Sequence, residues 1–497
     1  MCGIAGVLQQ PADETVQAMI EKLAHRGPDG NGVQDFENAT LGHTRLAILD
    51  IEGGRQPMQF EDTWIVFNGE IYNYRELQRR HLPDAKMKGH SDTEALLHLY
   101  RKIGPQFVST LDGMFAFVIY HDGEFLMARD PLGIKPLYYG TSLDNQRLFF
   151  ASEIKALAGR VAAIREFPAG FWFHSQLGWE RYYRVEETVR PFAGSETEAL
   201  PLIKSVLREA VQKRLLADVP VGVSLSGGLD SSIVSLLACE GIDQLHSFAV
   251  GVQGSQDLSA ARKMADVLRT QHHELVYDAE DMLEALPQVL YFLETFDPAL
   301  VRSAIPNYFL AKLASQHVKV FLTGEGADEV YAGYEYLDGF DSPAALQEEM
   351  IHITEALHNT NLQRADRMSM AFGLEARVPF LDVKSVALAL GFPAEWKLHR
   401  GRVPKHLLRQ AFARDLPAEI VNRPKQKFSK GAGSSDLIAK LAERKISDGD
   451  FRSERKRLKN EWNYALKNKE ALYYYNSIRE HYEDAFLFNT MGHSRSL

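Results

Sequence analysis

The chain changes its hydrophobic rhythm near residue 200. Before that point apolar residues come in short runs broken by turn residues, as in TWIVFNGEIYNY (63–74) and MFAFVIYHDGEFLMARD (114–130). Such runs read as strands, and Asp122-Gly123 between two of them is a hairpin signal. PLYYG and LFFASEI add two further strands, and MCGIAGV at the start reads as another. ETVQAMIEKLAHR and DTEALLHLYRKIG instead repeat apolar residues at helical spacing. Hairpins with a few helices predict an α+β domain with antiparallel sheets over residues 1–190.

VEETVRPFAGSETEAL, ending at residue 200, has little apolar period and reads as a linker. Beyond it the amphipathic helix ALPLIKSVLREAVQKRLLAD leads into VPVGVSLSGGLDSSIVSLLACE, a strand, a glycine turn and a helix. LHSFAVGV, HHELVYD and VKVFLTGEGADE are further strands, with the helices SAARKMADVLRT and PNYFLAKLASQ between them. Strand–helix alternation predicts an α/β, doubly wound parallel sheet over residues 200–497. Its ligands belong beyond the carboxyl ends of the strands. The tail after about 430, with clusters such as ERKRLKNEW, reads as solvated helices.

Composition narrows the classes. At 497 residues, two or three domains are expected. A 45% hydrophobic and 25% charged chain is an ordinary soluble composition. The net charge of -10 argues against a nucleic-acid partner. Two cysteines, Cys2 and Cys239, give neither a disulfide framework nor a zinc site and fit a reducing cytoplasm. No apolar run approaches the ~18 residues of a membrane span, and the start lacks the basic segment of a signal peptide.

Three stretches carry chemistry. Removal of Met1 would leave Cys2 with a thiol and a free α-amine, and an amine titrating near pH ~7.7–8.0 can serve as the thiol's own base. In SLSGGLDSS (224–232), glycines and a helix start make an anion cradle. It lacks the Lys-Ser/Thr of the kinase-type phosphate loop. Ser226 and Ser231 can donate to phosphate, whereas Asp230 needs a cation between, which suggests Mg²⁺. LTGEGADEVYAGY (322–334) repeats the arrangement, with Asp328 as a second metal carboxylate and Glu325 placed as a base.

MCGIAG combined with SGGLDSS resembles the glutamine-dependent asparagine synthetases. The resemblance runs along nearly the whole chain, through RGPDG (26–30), HTRLAILD (43–50), FNGEIYNY (67–74), SDTEAL (91–96), RDPLGIKPLYY (129–139), GEGADEVYAGY, EARVPFLD (375–382) and RPKQKFS (423–429). It implies an N-terminal-nucleophile αββα sandwich that hydrolyses glutamine, followed by an ATP pyrophosphatase domain. Cys2 then corresponds to the nucleophile, Asn68 and Gly69 to the oxyanion hole, and Arg45, Glu70 and Asp92, with Asn68 and Gly69, to the glutamine-binding groups. Leu225, Ser226, Gly227, Gly228, Asp230, Ser231, Val250, Thr323 and Gly324 lie where the family holds ATP, and Asp230 and Asp328 where it holds Mg²⁺. Glu325 matches the base on ammonia and Lys425 the lysine that neutralises charge. Arg26 is left out of the predicted site, and Arg377 is expected as a buried structural pair. The resemblance also implies glutamine, aspartate and ATP as substrates and a homodimer. On the residues alone, RGPDG is also a good turn, Asn68-Gly69 a hairpin corner and Asp92 a helix cap.

The acceptor rests on ETFDPALVRSAIP (294–306). Where many asparagine synthetases carry Thr-Thr-Ile-Arg, this chain has Ala299-Leu300-Val301-Arg302. An amidotransferase with another carboxylate acceptor, and a non-catalytic binding relative, are the competing readings.

Overall fold

Strand pairing divides the first 181 residues between two antiparallel sheets of six strands each. The computed structural model describes residues 2–398, 403–424 and 437–492. In the first sheet Gly3–Leu8 lies between Leu148–Ala151 and Ala39–Arg45. In the second, Gly113–His121 lies between Thr63–Ile71 and Glu124–Arg129. The period of two decides what each face meets. Ile4 and Leu8 point inward against Val66 and Val118 of the second sheet. Ala5 and Val7 point outward against Val16, Met19 and Ile20 of the helix Asp13–Lys22. Phe67 and Phe117 point outward against Leu96 and Leu99 of the helix Asp92–Ile103. The layers therefore run helix, sheet, sheet, helix. The hairpin corner adopts φ of 45° at Asp122 and 81° at Gly123, the left-handed pair that the Asp-Gly signal predicts.

The segment read as a linker is shorter than expected. A helix spans Val185–Thr188, and the long helix starts at Glu196. Ser195 and Glu198 form a reciprocal capping box, a Ser-x-x-Glu signal that sets the start. Val185 is buried and Phe192 packs on the second core, so the connection is anchored at both ends.

The parallel sheet has the order Gln271–Val276, His246–Gly251, Val221–Ser224, Val320–Leu322, Glu375–Arg377. The chain leaves Val221–Ser224 in one direction for two strands and returns on its other side. That reversal puts a topological switch point at the carboxyl ends of Val221–Ser224 and Val320–Leu322. Strand Glu375–Arg377 was not expected. It shows no apolar run because both charged residues are fully buried and pair with each other, Arg377 Nε to Glu375 Oε1 at 2.6 Å. The C-terminal helices are only partly solvated. Asp448–Trp462 buries Leu458 alone, but Lys469–Ile478 buries Leu472, Tyr474, Tyr475 and Ile478.

The sandwich meets the second half through a buried ionic cluster. Arg26 Nη1 donates to Glu153 Oε1 at 2.6 Å and to Asp366 Oδ2 at 2.7 Å, and Nη2 to Asp366 Oδ1 at 3.0 Å. Glu294 accepts from Arg367 at 3.0 Å and pairs with Lys155 at 3.0 Å. Burial opposes ionisation of Asp366, but Arg26 beside it holds the carboxyl below its usual range. Removing one partner of such a pair strands the other charge in a desolvated site. Asp366→Asn should cost about 3–5 kcal/mol of unfolding free energy, measured by denaturant titration. A loss under about 1 kcal/mol, the value of an exposed pair, would show that this contact does not hold the two halves together.

Candidate active site

Cys2 is buried at the start of the strand Gly3–Leu8. Its backbone N–H donates to Asn68 Oδ1 at 3.0 Å, and its carbonyl accepts from Arg26 Nε at 3.0 Å. Arg26, left outside the predicted site, is thus the group that ties the thiol residue to Asp366 of the second half. Burial pushes the Cys2 thiol up, against the carbonyl contact with Leu46. A thiol in that state needs a base before it can attack.

Asn68 and Gly69 lie side by side in the strand Thr63–Ile71. Asn68 Nδ2 is buried without a hydrogen-bond partner among the described residues, which leaves a donor for a ligand. A Cβ on Gly69 would stand 2.1 Å from the Met114 carbonyl oxygen, so no other residue fits that strand position. The pair is therefore within a strand and not at a hairpin corner. Arg45 donates to the carbonyls of Ile51 and Asp50, each at 2.7 Å. It holds the loop that follows its own strand.

Asp92 is the first residue of its helix, and Ser91 is the cap, accepting from Thr93. The Asp92 carboxylate is free to turn inward, where it accepts from Ile71 N–H at 2.9 Å. It is gathered with Glu70 and Glu375 around Arg377, whose Nη2 lies 3.4 Å from Glu70 Oε1. Burial, then the Glu375 charge, pushes Glu70 well above the usual carboxylate range. Burial pushes Asp92 up to about 6. Glu375 is held down at about 2; burial opposes this, and the chain terminus and Arg377 overcome it. A buried cluster of carboxyl groups, two of them pushed up by burial, is suited to a ligand that brings an ammonium group.

The second chamber lies at the switch point, a cavity of about 280 Å³. Leu225, Ser226, Gly228, Asp230, Ser231, Val250, Thr323, Gly324, Glu325 and Asp328, ten of the predicted residues, line it together. Gly227 stands just behind, with φ 65° and its missing Cβ only 2.4 Å from the Ala260 backbone. The helix Leu229–Cys239 starts at Gly228 without a side-chain cap, which leaves its first N–H groups for an anion. Gly324 lets the two loops close on each other: a Cβ there would come within 2.8 Å of Asp230 Cβ and 3.0 Å of Ser231 N.

Asp230 and Asp328 converge on a residue that sequence reading missed. Lys405 Nζ pairs with Asp230 and lies 2.6 Å from Asp328 Oδ1. Lys405 is 3% exposed, and nothing in VPKHLLRQ separates it from a surface lysine. Asp230 Oδ1 is buried without a hydrogen-bond partner among the described residues. Two facing carboxylates, with Asp230 Oδ1 unpartnered among the described residues, fit a hard divalent cation such as Mg²⁺. Two arginines were also missed. Arg364 pairs with Glu325 and donates to Ser303 Oγ at 3.0 Å. Arg423 donates to the Ser226 carbonyl at 3.1 Å and pairs with Asp257 at 2.6 Å. Lys425 lies outside the described residues.

The two chambers share a wall. The Thr323 N–H donates to the Arg377 carbonyl at 2.9 Å, and the Arg377 side chain faces Glu70. Residues 375–377 therefore touch both predicted sites, and Arg377 pairs with Glu375 as expected.

A family model described as the glutamine amidotransferase domain matches residues 1–169, and one described as asparagine synthase matches residues 202–342 and 338–487. The chain is 39% identical over 482 residues to the glutamine-hydrolyzing asparagine synthetase 2 of Arabidopsis thaliana, covering 90% of this chain and 82% of that one. It is 36% identical over 512 residues to the glutamine-hydrolyzing asparagine synthetase B of Escherichia coli (strain K12), covering 97% and 91%. A solved glutamine phosphoribosylpyrophosphate amidotransferase from B. subtilis aligns at 20% identity over 55% of this chain and 65% of that chain, with a TM-score of 0.32. That likeness is too low to carry a fold assignment, which the strand orders make on their own.

Replacing Lys405 by Met leaves Asp230 and Asp328 facing each other. In metal-free protein the variant should lose on the order of 3 kcal/mol of stability, and Mg²⁺ should raise its melting temperature more than that of the unaltered chain. Equal stability without Mg²⁺ would mean that the lysine does not hold the carboxylates together.

Proposed function

The chain belongs to the glutamine-hydrolysing asparagine synthetases, and we propose from that premise that it moves the amide nitrogen of glutamine onto the β-carboxylate of aspartate at the expense of ATP. The observation that carries this reading is the shared wall: Arg377 faces Glu70 on one side and accepts from Thr323 on the other. In this reading residues 1–190 are the glutaminase and residues 200–497 the synthetase.

With Met1 removed, the Cys2 α-amine takes the thiol proton and the thiolate attacks the side-chain amide of glutamine. Asn68 Nδ2 and the Gly69 N–H receive the oxyanion. Such donors act most strongly where charge develops. Arg45 takes the α-carboxylate, and Glu70 and Asp92 the α-ammonium. Ammonia leaves with the amine's proton, and water cleaves the thioester to give glutamate.

In the second chamber ATP lies along Leu225, Ser226, Gly227, Gly228, Ser231, Thr323 and Gly324, with its base against Val250. Asp230 and Asp328 would hold Mg²⁺, which supplies charge neutralisation on the phosphates. The aspartate β-carboxylate attacks the α-phosphate and pyrophosphate departs. The resulting acyl-adenylate cures both defects of a carboxylate, a weak electrophile with a poor leaving group. Ammonia attacks it, Glu325 accepts the excess proton, and AMP leaves. Arg364 fixes Glu325 by its ion pair, and Lys425 offsets the charge on the phosphate. Ammonia travels inside the protein past residues 375–377, because in bulk water at neutral pH it is mostly ammonium. A homodimer in the cytoplasm is the assembly and location that the family resemblance supports.

One observation favours a different acceptor. Ala299 and Leu300 line the cavity, at positions where the family resemblance implies two threonines. Mass spectrometry of the product formed from aspartate, against a panel of other carboxylates, separates the two readings.

Cys2→Ala should abolish glutamine-driven synthesis, and Asn68→Ala should lower the glutaminase kcat by about 10²–10³-fold. Both should keep synthesis from ammonium salts within about twofold. Equal loss with either nitrogen source would contradict the two-site scheme. Because burial pushes Asp92 up to about 6 and only its ionised form pairs with an ammonium, the glutaminase kcat/KM should fall as pH drops below that value. Asp92→Asn should raise the KM for glutamine and remove that acid limb from the profile; an unchanged limb would assign it to another group.

A further inference from the structure

The edge of the parallel sheet opposite the glycine loops carries three imidazoles that the proposed reaction does not use. His246 opens the strand His246–Gly251, His273 sits in the neighbouring Gln271–Val276, and His317 occupies the turn between the helix Pro298–Ala314 and the strand Val320–Leu322. Register pairs Phe248 with His273, so His246, Phe248 and His273 share one face of the sheet. His272 points the other way, to Ser247 and Glu274.

The three side chains are gathered over the Phe248 ring. His246 Nδ1 lies 3.0 Å from His273 Nε2. The rings of His273 and His317 stack with centroids 3.9 Å apart, and each of these histidines stands 5.2–5.8 Å from Phe248. One nitrogen from each of the three lies within 4.8 Å of the other two. Metal–imidazole bonds of about 2.0–2.1 Å ask for a modest closure, which rotation of the exposed His317 supplies.

We propose that His246, His273 and His317 form a site for a borderline divalent transition-metal ion, Zn²⁺ in the first instance, with water in the fourth position. Three imidazoles with no thiolate suit this class of ion and not Mg²⁺ or Ca²⁺. Bound there, the ion ties the end of the helix Pro298–Ala314, and through the turn the strand that leads to Asp328, to the sheet edge.

The test uses the full chain loaded with Zn²⁺ and with Co²⁺. Equilibrium dialysis should find one more tightly held equivalent in the unaltered protein than in His317→Ala or in His273→Ala. Co²⁺ should give the intense visible bands of a four-coordinate site, lost in both variants. His317 is exposed, so His317→Ala should keep its fold, checked by circular dichroism, and its synthetase rate. Zn²⁺ should raise the melting temperature of the unaltered chain and not of His317→Ala. Equal metal content in all three proteins, or a weak octahedral Co²⁺ spectrum unaffected by the substitutions, would overturn the proposal.

Discussion

A single buried guanidinium sets the geometry on which both chambers depend. Arg26 holds the Cys2 carbonyl with one nitrogen and joins Glu153 of the sandwich to Asp366 of the second half with the others. Desolvating such charges is costly, and a buried pair is weak evidence for stability as such. What the arrangement supplies here is position. The cluster holds the two halves together and sets Cys2 against the second half.

The charges around this contact are unequal in a useful way. In the glutaminase chamber Glu70 and Asp92 are pushed toward protonation and Glu375 is held ionised. In the other chamber Lys405 sits between Asp230 and Asp328, where the family reading puts a metal. Residues 375–377 lie between the two sites. Hydrolysis and amidation are coupled in this account because one short strand belongs to both sites.

The sequence reveals this unevenly. Alternating apolar residues reveal both sheets of the sandwich, and the Asp122-Gly123 corner is legible because few residue pairs adopt its backbone. The glycine loops are legible because only glycine permits their approach: a Cβ on Gly324 would stand 2.8 Å from Asp230 Cβ. Charged residues that are buried in pairs are silent. Arg26, Arg364, Lys405 and Arg423 all look like exposed charge in one dimension, since their partners lie far away along the chain, and the strand Glu375–Arg377 does so because two charged residues paired with each other stand where an apolar run would be. The start of the helix at Glu196 is readable from Ser195 and Glu198, but the pattern sits in a stretch with little apolar period.

The central claim is that nitrogen passes from one chamber to the other without entering solvent. It is tested by running the reaction with unlabelled glutamine, aspartate and ATP in the presence of excess ¹⁵N-ammonium, and reading the isotope in the new amide by mass spectrometry. The account predicts product that is almost wholly ¹⁴N while glutamine is saturating. Product carrying ¹⁵N in proportion to the free ammonium in solution would contradict it.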